Sequence, residues 1–131
     1  MSLSGSLRIS TSGMHAERFR MDVISGNIAN ANTVNGPGLP EVRRQNVVLS
    51  GGKNGVNVLN LEPDNVTPMR REYEPGHPYS DAEGFVTYSN INPVFEMVDM
   101  ISASRAYEAN QAAFNSGRQM LNAALSIGRN S

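Results

Sequence analysis

From Asn92 to Gly128 the chain reads NPVFEMVDMISASRAYEANQAAFNSGRQMLNAALSIG, and this stretch decides the architecture. Asparagine followed by proline is a helix-start signal, because the amide side chain can accept a free N–H of the first turn and proline has no N–H to waste there. From that start Met100, Tyr107, Phe114 and Leu121 recur every seventh residue, flanked by Met97, Ile101 and Leu125. The helix is expected to run to about Ile127, roughly 50 Å, with Gly128 placed to end it. A sustained seven-residue repeat forms a narrow seam that stays in register only against another helix. The opposite end of the chain supplies one. Leu7, Met14, Met21 and Ile28 repeat at the same interval, with Leu3, Ile24 and Ala31 on the adjoining row, along a helix expected from Ser4 to Asn30.

All seven prolines lie between Pro37 and Pro93, so the middle belongs to neither helix. Short β-prone runs cover Val42 to Leu49, Val56 to Leu61, Val66 to Tyr73 and Phe85 to Tyr88. They are separated by glycine, proline and asparagine clusters at Gly51–Gly55, Glu62–Asn65 and Pro75–Pro78, the composition of turns between antiparallel strands. The expected fold is therefore α+β. Two long terminal helices pair as an antiparallel coiled coil, with a small antiparallel β-rich segment between them. The expected division is a helical segment over 1–34, a β-rich segment over 35–91 and a second helical segment over 92–131, the two helical segments forming one core unit. The Asn27-Ile28-Ala29-Asn30-Ala31-Asn32-Thr33 segment is expected to end the first helix, since asparagine tolerates the left-handed conformation and caps helix ends with its amide. Gly13 and Gly26 lie inside that helix and point to close approach by a neighbour or to weak intrinsic helicity.

Composition excludes several classes. Only 39% of the 131 residues are hydrophobic, and the middle is poorly provided with core. A formal net charge of -1 and the lack of any basic stripe exclude a nucleic-acid footprint. The pairs Arg43-Arg44 and Arg70-Arg71, with Glu41, Glu72 and Glu74 close by, are expected on solvated strand faces or at a rim. With no cysteine the chain has no disulfide or thiolate chemistry. His15 and His77 belong to no spaced metal or nucleophile motif. Asp81 and Glu83 ahead of Gly84 fall short of a calcium loop and are expected in an acid-bearing turn. Gly51-Gly52-Lys53 lacks the context of a phosphate loop. No catalytic, cofactor or metal residue is therefore expected, and no small-molecule substrate. The first residues lack the charged and apolar regions of a cleavable signal peptide.

Two signatures give a more definite expectation. Ser12-Gly13-Met14-His15-Ala16, with Ser25-Gly26-Asn27-Ile28-Ala29-Asn30-Ala31-Asn32-Thr33, resembles the N-terminal signature of the bacterial flagellar rod and hook family. Asn90-Ile91-Asn92, Glu96-Met97-Val98 and Ile101-Ser102-Ala103-Ser104-Arg105-Ala106-Tyr107-Glu108-Ala109-Asn110 resemble its C-terminal signature. The short middle, Asn35-Gly36-Pro37-Gly38, Tyr73–Pro78 and Asp81–Val86 are similar to the proximal rod members of that family. The likeness is weakest over Ser50 to Asn65. It implies a structural subunit, not an enzyme, that assembles with other rod proteins and copies of itself into a torque-transmitting helical tube. It also implies passage through the flagellar type III export apparatus without cleavage, contact with the membrane ring or an adaptor at the rod base, and a periplasmic final location. The competing expectation is a coiled-coil interaction module, such as a secretion adaptor or phage tail component.

The residues expected at the seam or at subunit interfaces are Leu7, Met14, Met21, Ile28, Met97, Met100, Tyr107, Phe114, Leu121 and Leu125. Those carrying the signatures are Ser12, Gly13, Asn27, Ile28, Ala29, Asn30, Thr33, Ser104, Arg105, Ala106, Tyr107, Ala109 and Asn110. Apolar stripes of this kind ordinarily form the core of a monomer. Here two long helices with a small sheet cannot cover each other, and Phe19, Phe95, Met120 and Ile127 need further partners.

Overall fold

The computed structural model describes residues 2–131. Two helices dominate it: α1, Leu3–Ala29, and α2, Pro93–Asn130. Ser2 caps α1, its hydroxyl accepting the Gly5 N–H at 3.1 Å, and the Asn92 side chain caps α2 by accepting from Val94 N at 3.0 Å. Pro93 occupies the first turn of α2, as the Asn-Pro pair predicts. The helix continues through Gly128 to Asn130, so that glycine does not end it. Glycine stops a helix by turning left-handed, and Gly128 keeps a negative φ.

The β-rich middle forms two sheets. Strands β1 (Val34–Asn35), β5 (Phe85–Tyr88) and β4 (Arg70–Tyr73) make an antiparallel three-stranded sheet with β5 at its centre. Strands β2 (Gln45–Gly52) and β3 (Gly55–Pro63) form a separate hairpin. Its turn is confined to Lys53-Asn54, so glycines expected in a loose turn instead belong to paired strands. Gly55 needs to be glycine, with φ +117 and no room for a β-carbon beside the Ser12 side chain of α1. Leu59 is the extra residue of a bulge opposite Val48 and Leu49. The expected strand over Val66–Tyr73 begins only at Arg70, because the Asp64 carboxylate takes up the N–H groups of Val66 and Thr67 and folds that stretch into a turn.

The hairpin lies along α1, and α1 lies along α2. The fully buried apolar residues are Ala16, Ile24, Ala31, Val86, Ile91 and Ala103, half of them alanines. Ile24, Ala31, Val86 and Ile91 gather where the three-stranded sheet meets the exit of α1 and the entry of α2, while Ala16 and Ala103 lie farther along the helix pair.

In the β5 approach, Asp81 Oδ1 accepts the N–H groups of Glu83 and Phe85, both at 2.9 Å, while Arg71 donates to Oδ2 at 2.7 Å. The Phe85 N–H, aided by Glu83 and Arg71 against partial burial, holds the Asp81 pKa below its ordinary value. A carboxyl with a lowered folded pKa stabilises the fold above its unfolded pKa and loses that contribution as pH falls through the folded one. The Glu83 and Phe85 amide resonances should therefore titrate together below the usual aspartate range, and Asp81→Asn should abolish that transition.

Candidate functional site: the helix pair and its joint

Helix pairing starts from small residues, because two backbones approach closely only where side chains are short. The antiparallel register is fixed by three observed juxtapositions: Asn27 with Glu96, Gly13 with Asn110, and Leu7 with Gly117. A β-carbon on Gly13 would stand 2.6 Å from Asn110 Oδ1, and one on Gly117 would stand 2.9 Å from Leu7 Cδ2. Ser10, Gly13, Ala16 and Ala103 are buried along the same contact. The closest line between the helices is thus built from small and polar residues.

The large heptad residues flank that line. Leu7, Met14, Met21, Ile28, Met100, Tyr107, Phe114 and Leu121 are all half-buried. Met97 and Leu125 face outward, 54% and 64% exposed. The register leaves the residues after Leu121 running past the start of α1, and every one of them is exposed. On the outer side of α2, Val94, Met97, Val98 and Ile101 form an exposed apolar stripe at i, i+3, i+4 and i+7, with Phe95 beside it.

At the other end the helices meet in a polar joint that heptad analysis misses. Glu96 has no exposed surface. Its carboxylate accepts from Arg44 Nε and, at 3.1 Å, from Asn27 Nδ2. Arg44 also donates to Asn46 Oδ1 and, at 2.8 Å, to Asp99 Oδ2. Burial works against the Arg44 cation, yet its bond and attraction to Glu96, with Asp99 and Asp64 nearby, keep its pKa above the ordinary arginine value. The expectation of a solvated strand face therefore fails for Arg44. It fits Arg70 and Arg71, which stay half-exposed and pair with Glu72 and Asp81. Desolvating a carboxylate is tolerable only beside such a partner.

Asparagines complete the joint. Asn27 accepts the Gln45 N–H and donates to the Gln45 carbonyl, both at 3.0 Å, tying α1 to the start of β2. Asn90 accepts the Arg44 N–H at 2.8 Å and donates to the carbonyls of Asp64 and Thr67. Ser89, fully buried, shares its hydroxyl hydrogen between the carbonyls of Asn30 and Ala31 and donates its N–H to Thr33. The end of α1 is thus satisfied by the residue that follows β5. Asn30 keeps φ at -99, and no non-glycine among the described residues has a positive φ, so the expected left-handed asparagine stop is not used.

The two signatures meet in space. Gly13 touches Asn110, whose Nδ2 donates to Ala106 O at 2.9 Å, and Ser12 Oγ accepts the Val56 N–H at 3.0 Å. Ser104, Ala106 and Tyr107 are half-buried, whereas Ala29, Arg105 and Ala109 are exposed. Gly26 has nothing within 4 Å of a β-carbon position, so close approach accounts for Gly13 but not for Gly26. His15 is exposed on α1, and His77 Nδ1 accepts from Tyr79 N in a turn.

Comparison with known proteins matches both ends. A family model for flagella basal body rod proteins covers residues 7–35, and a model for the C-terminal part of flagellar basal body rod FlgEFG proteins covers 82–127. The flagellar basal-body rod protein FlgC of Borreliella burgdorferi is 39% identical, over 97% of this chain and 98% of its own length. FlgC of Bacillus subtilis is 37% identical over 95% and 97%, and FlgC of Escherichia coli O157:H7 is 34% identical over 98% and 100%.

Proposed function

This chain belongs to the FlgC family of flagellar basal-body rod proteins, a structural family rather than an enzyme family, and we propose that it builds a torque-bearing helical tube through its terminal helices. As a rod subunit it works in the basal body alongside other rod proteins. In the proposed arrangement residues 1–34 and 92–131 act as one helical unit and 35–91 as a β-rich unit beside it. The single observation carrying this is how little the isolated fold covers. Phe95, Met97, Val98, Ile101, Leu125 and Ile127 are each more than half exposed, on one long helix. Monomers rarely leave contiguous apolar surface of this kind without an occupant.

Neighbouring subunits meeting these faces by heterologous contacts would continue as a helix instead of closing. Many small packing contacts along helices of about 40 and 57 Å would share a mechanical load. In this reading the chain reaches the periplasm through the flagellar type III apparatus without losing a leader, and its rod-base neighbours include the membrane ring or its adaptor. The coiled-coil interaction module is not favoured, since full-length similarity runs to rod proteins.

The test uses cells lacking their own copy. Met14→Asp and Phe114→Asp, at half-buried positions flanking the helix contact, should each reduce incorporation into isolated basal bodies at least tenfold. Export into the medium should continue, because an unfolded chain does not use those contacts. A Gly-Ser insertion between Lys53 and Asn54, at the exposed hairpin tip, should be tolerated. The same insertion after Ala29 should abolish incorporation. Normal motility with either aspartate variant would remove both positions from the assembly surface.

A further inference from the structure

Apolar repeats hold helices together without saying where along their length they should stop. Sliding α2 by seven residues along α1 returns every large side chain of the Leu7–Met14–Met21–Ile28 row to a place beside the Met100–Tyr107–Phe114–Leu121 row. The tight line is nearly as permissive: a slide toward the middle of α1 sets Ala103 against Gly13 and Asn110 against Ser6. What the slide cannot reproduce is the joint. It takes Glu96 away from Asn27 and Arg44, leaving Arg44 stripped of its buried partner. Moving Glu96 to Arg20 instead would draw that side chain off Glu17, to which it donates at 2.8 Å.

Among the described residues, all side-chain hydrogen bonds from α2 to another element come from Glu96 and Asp99, and they reach only Asn27 and Arg44. Beyond Asp99 the helix meets α1 through packing alone. We infer that Glu96, held by Arg44 and Asn27, is the positioning residue that sets the register of the terminal helix pair. A single buried polar contact is the best-attested way to choose among the registers a heptad repeat allows. Ser89 and the β1–β5 pairing secure the exit of α1. Through Asn90-Ile91-Asn92 they also restrain the entry of α2 loosely, and Arg44, whose backbone N–H binds Asn90, adds the tie made by the helix's own side chains.

The absence of native cysteine makes the register directly measurable in the full chain. Leu7→Cys/Gly117→Cys reports the observed register, and Leu7→Cys/Asn110→Cys reports the slide of one heptad toward the middle of α1. Under mild oxidation the first pair should form its intrachain disulfide at least tenfold faster than the second. In an Arg44→Met/Glu96→Met background, which removes both charges and leaves apolar side chains of similar length, that ratio should fall at least fivefold while helix content by circular dichroism is retained. An unchanged ratio would overturn the inference. So would a fall matched by loss of helix content, because the pair would then be stabilising the helices rather than choosing between registers. The readout is intramolecular and independent of rod assembly.

Discussion

Replacing Val86 with aspartate is expected to unfold the β-rich end of the molecule and eliminate incorporation into the rod. Val86 has no exposed surface and lies on the central strand of the three-stranded sheet. Its cross-strand neighbour is Glu72, and the nearby cation Arg70 is already shared between Glu72 and Asn32. An uncompensated buried charge costs about 3 to 5 kcal/mol, a large part of the roughly 5 to 15 kcal/mol that holds a small domain together. Three residues after Val86 comes Ser89, which holds the carbonyls at the end of α1, so collapse of β5 also releases the helix joint. Thermal unfolding of the purified variant, compared with basal-body incorporation in cells, measures both effects. Retention of the parent melting temperature would mean that the sheet does not support the joint.

The second large effect comes from one helix and two glycines. Gly13→Val should destabilise the helix pair by about 1 to 3 kcal/mol, the usual cost of forcing extra carbon into a close-packed contact. Asn110 cannot simply swing aside, since its amide is committed to the Ala106 carbonyl. Gly26→Ala should act in the opposite direction. Its backbone is helical, its β-carbon would meet nothing within 4 Å, and alanine gains about 1 kcal/mol of helix propensity. Denaturant melts of the two variants should therefore move to opposite sides of the parent. Adding Asn110→Gly to Gly13→Val should recover much of the loss. A melt in which both variants shift the same way would show that the glycines serve intrinsic helicity alone.

The architecture was readable where local chemistry had no competitor. Asn92-Pro93 marks the start of α2, proline confines the middle, and alternation places β5 at Phe85–Tyr88. The seam was readable only in part. Searching for large apolar residues finds Leu7, which packs on Gly117, together with Met14, Phe114 and their kin, which flank the closest line. It passes over Ala103 and Gly117, whereas the misplaced helical glycine Gly13 does point to that line. For those two the spacing was the available signal, because Ala103, Asn110 and Gly117 also recur every seventh residue.

The joint was not readable as one group, although Asn27, Asn90 and Glu96 stand within the two signatures. Asn27, Arg44, Asn90 and Glu96 are far apart in the chain, and each has an ordinary surface role by default. Only tertiary proximity converts them into one buried group. Likewise β1 is two residues long, too short for any alternation, and exists because β5 offers it an edge.

The modest core has a calorimetric consequence. Heat-capacity change on unfolding scales mainly with the apolar area newly exposed to water. A fold with few buried apolar residues, half of them alanines, exposes little such area when it melts. Its stability should then vary only gently with temperature, a flat, shallow dome in place of a sharply peaked curve. Packing Phe95, Met97 and Ile101 against neighbours would steepen that curve, so the assembled subunit should show a much larger heat-capacity increment than the free chain.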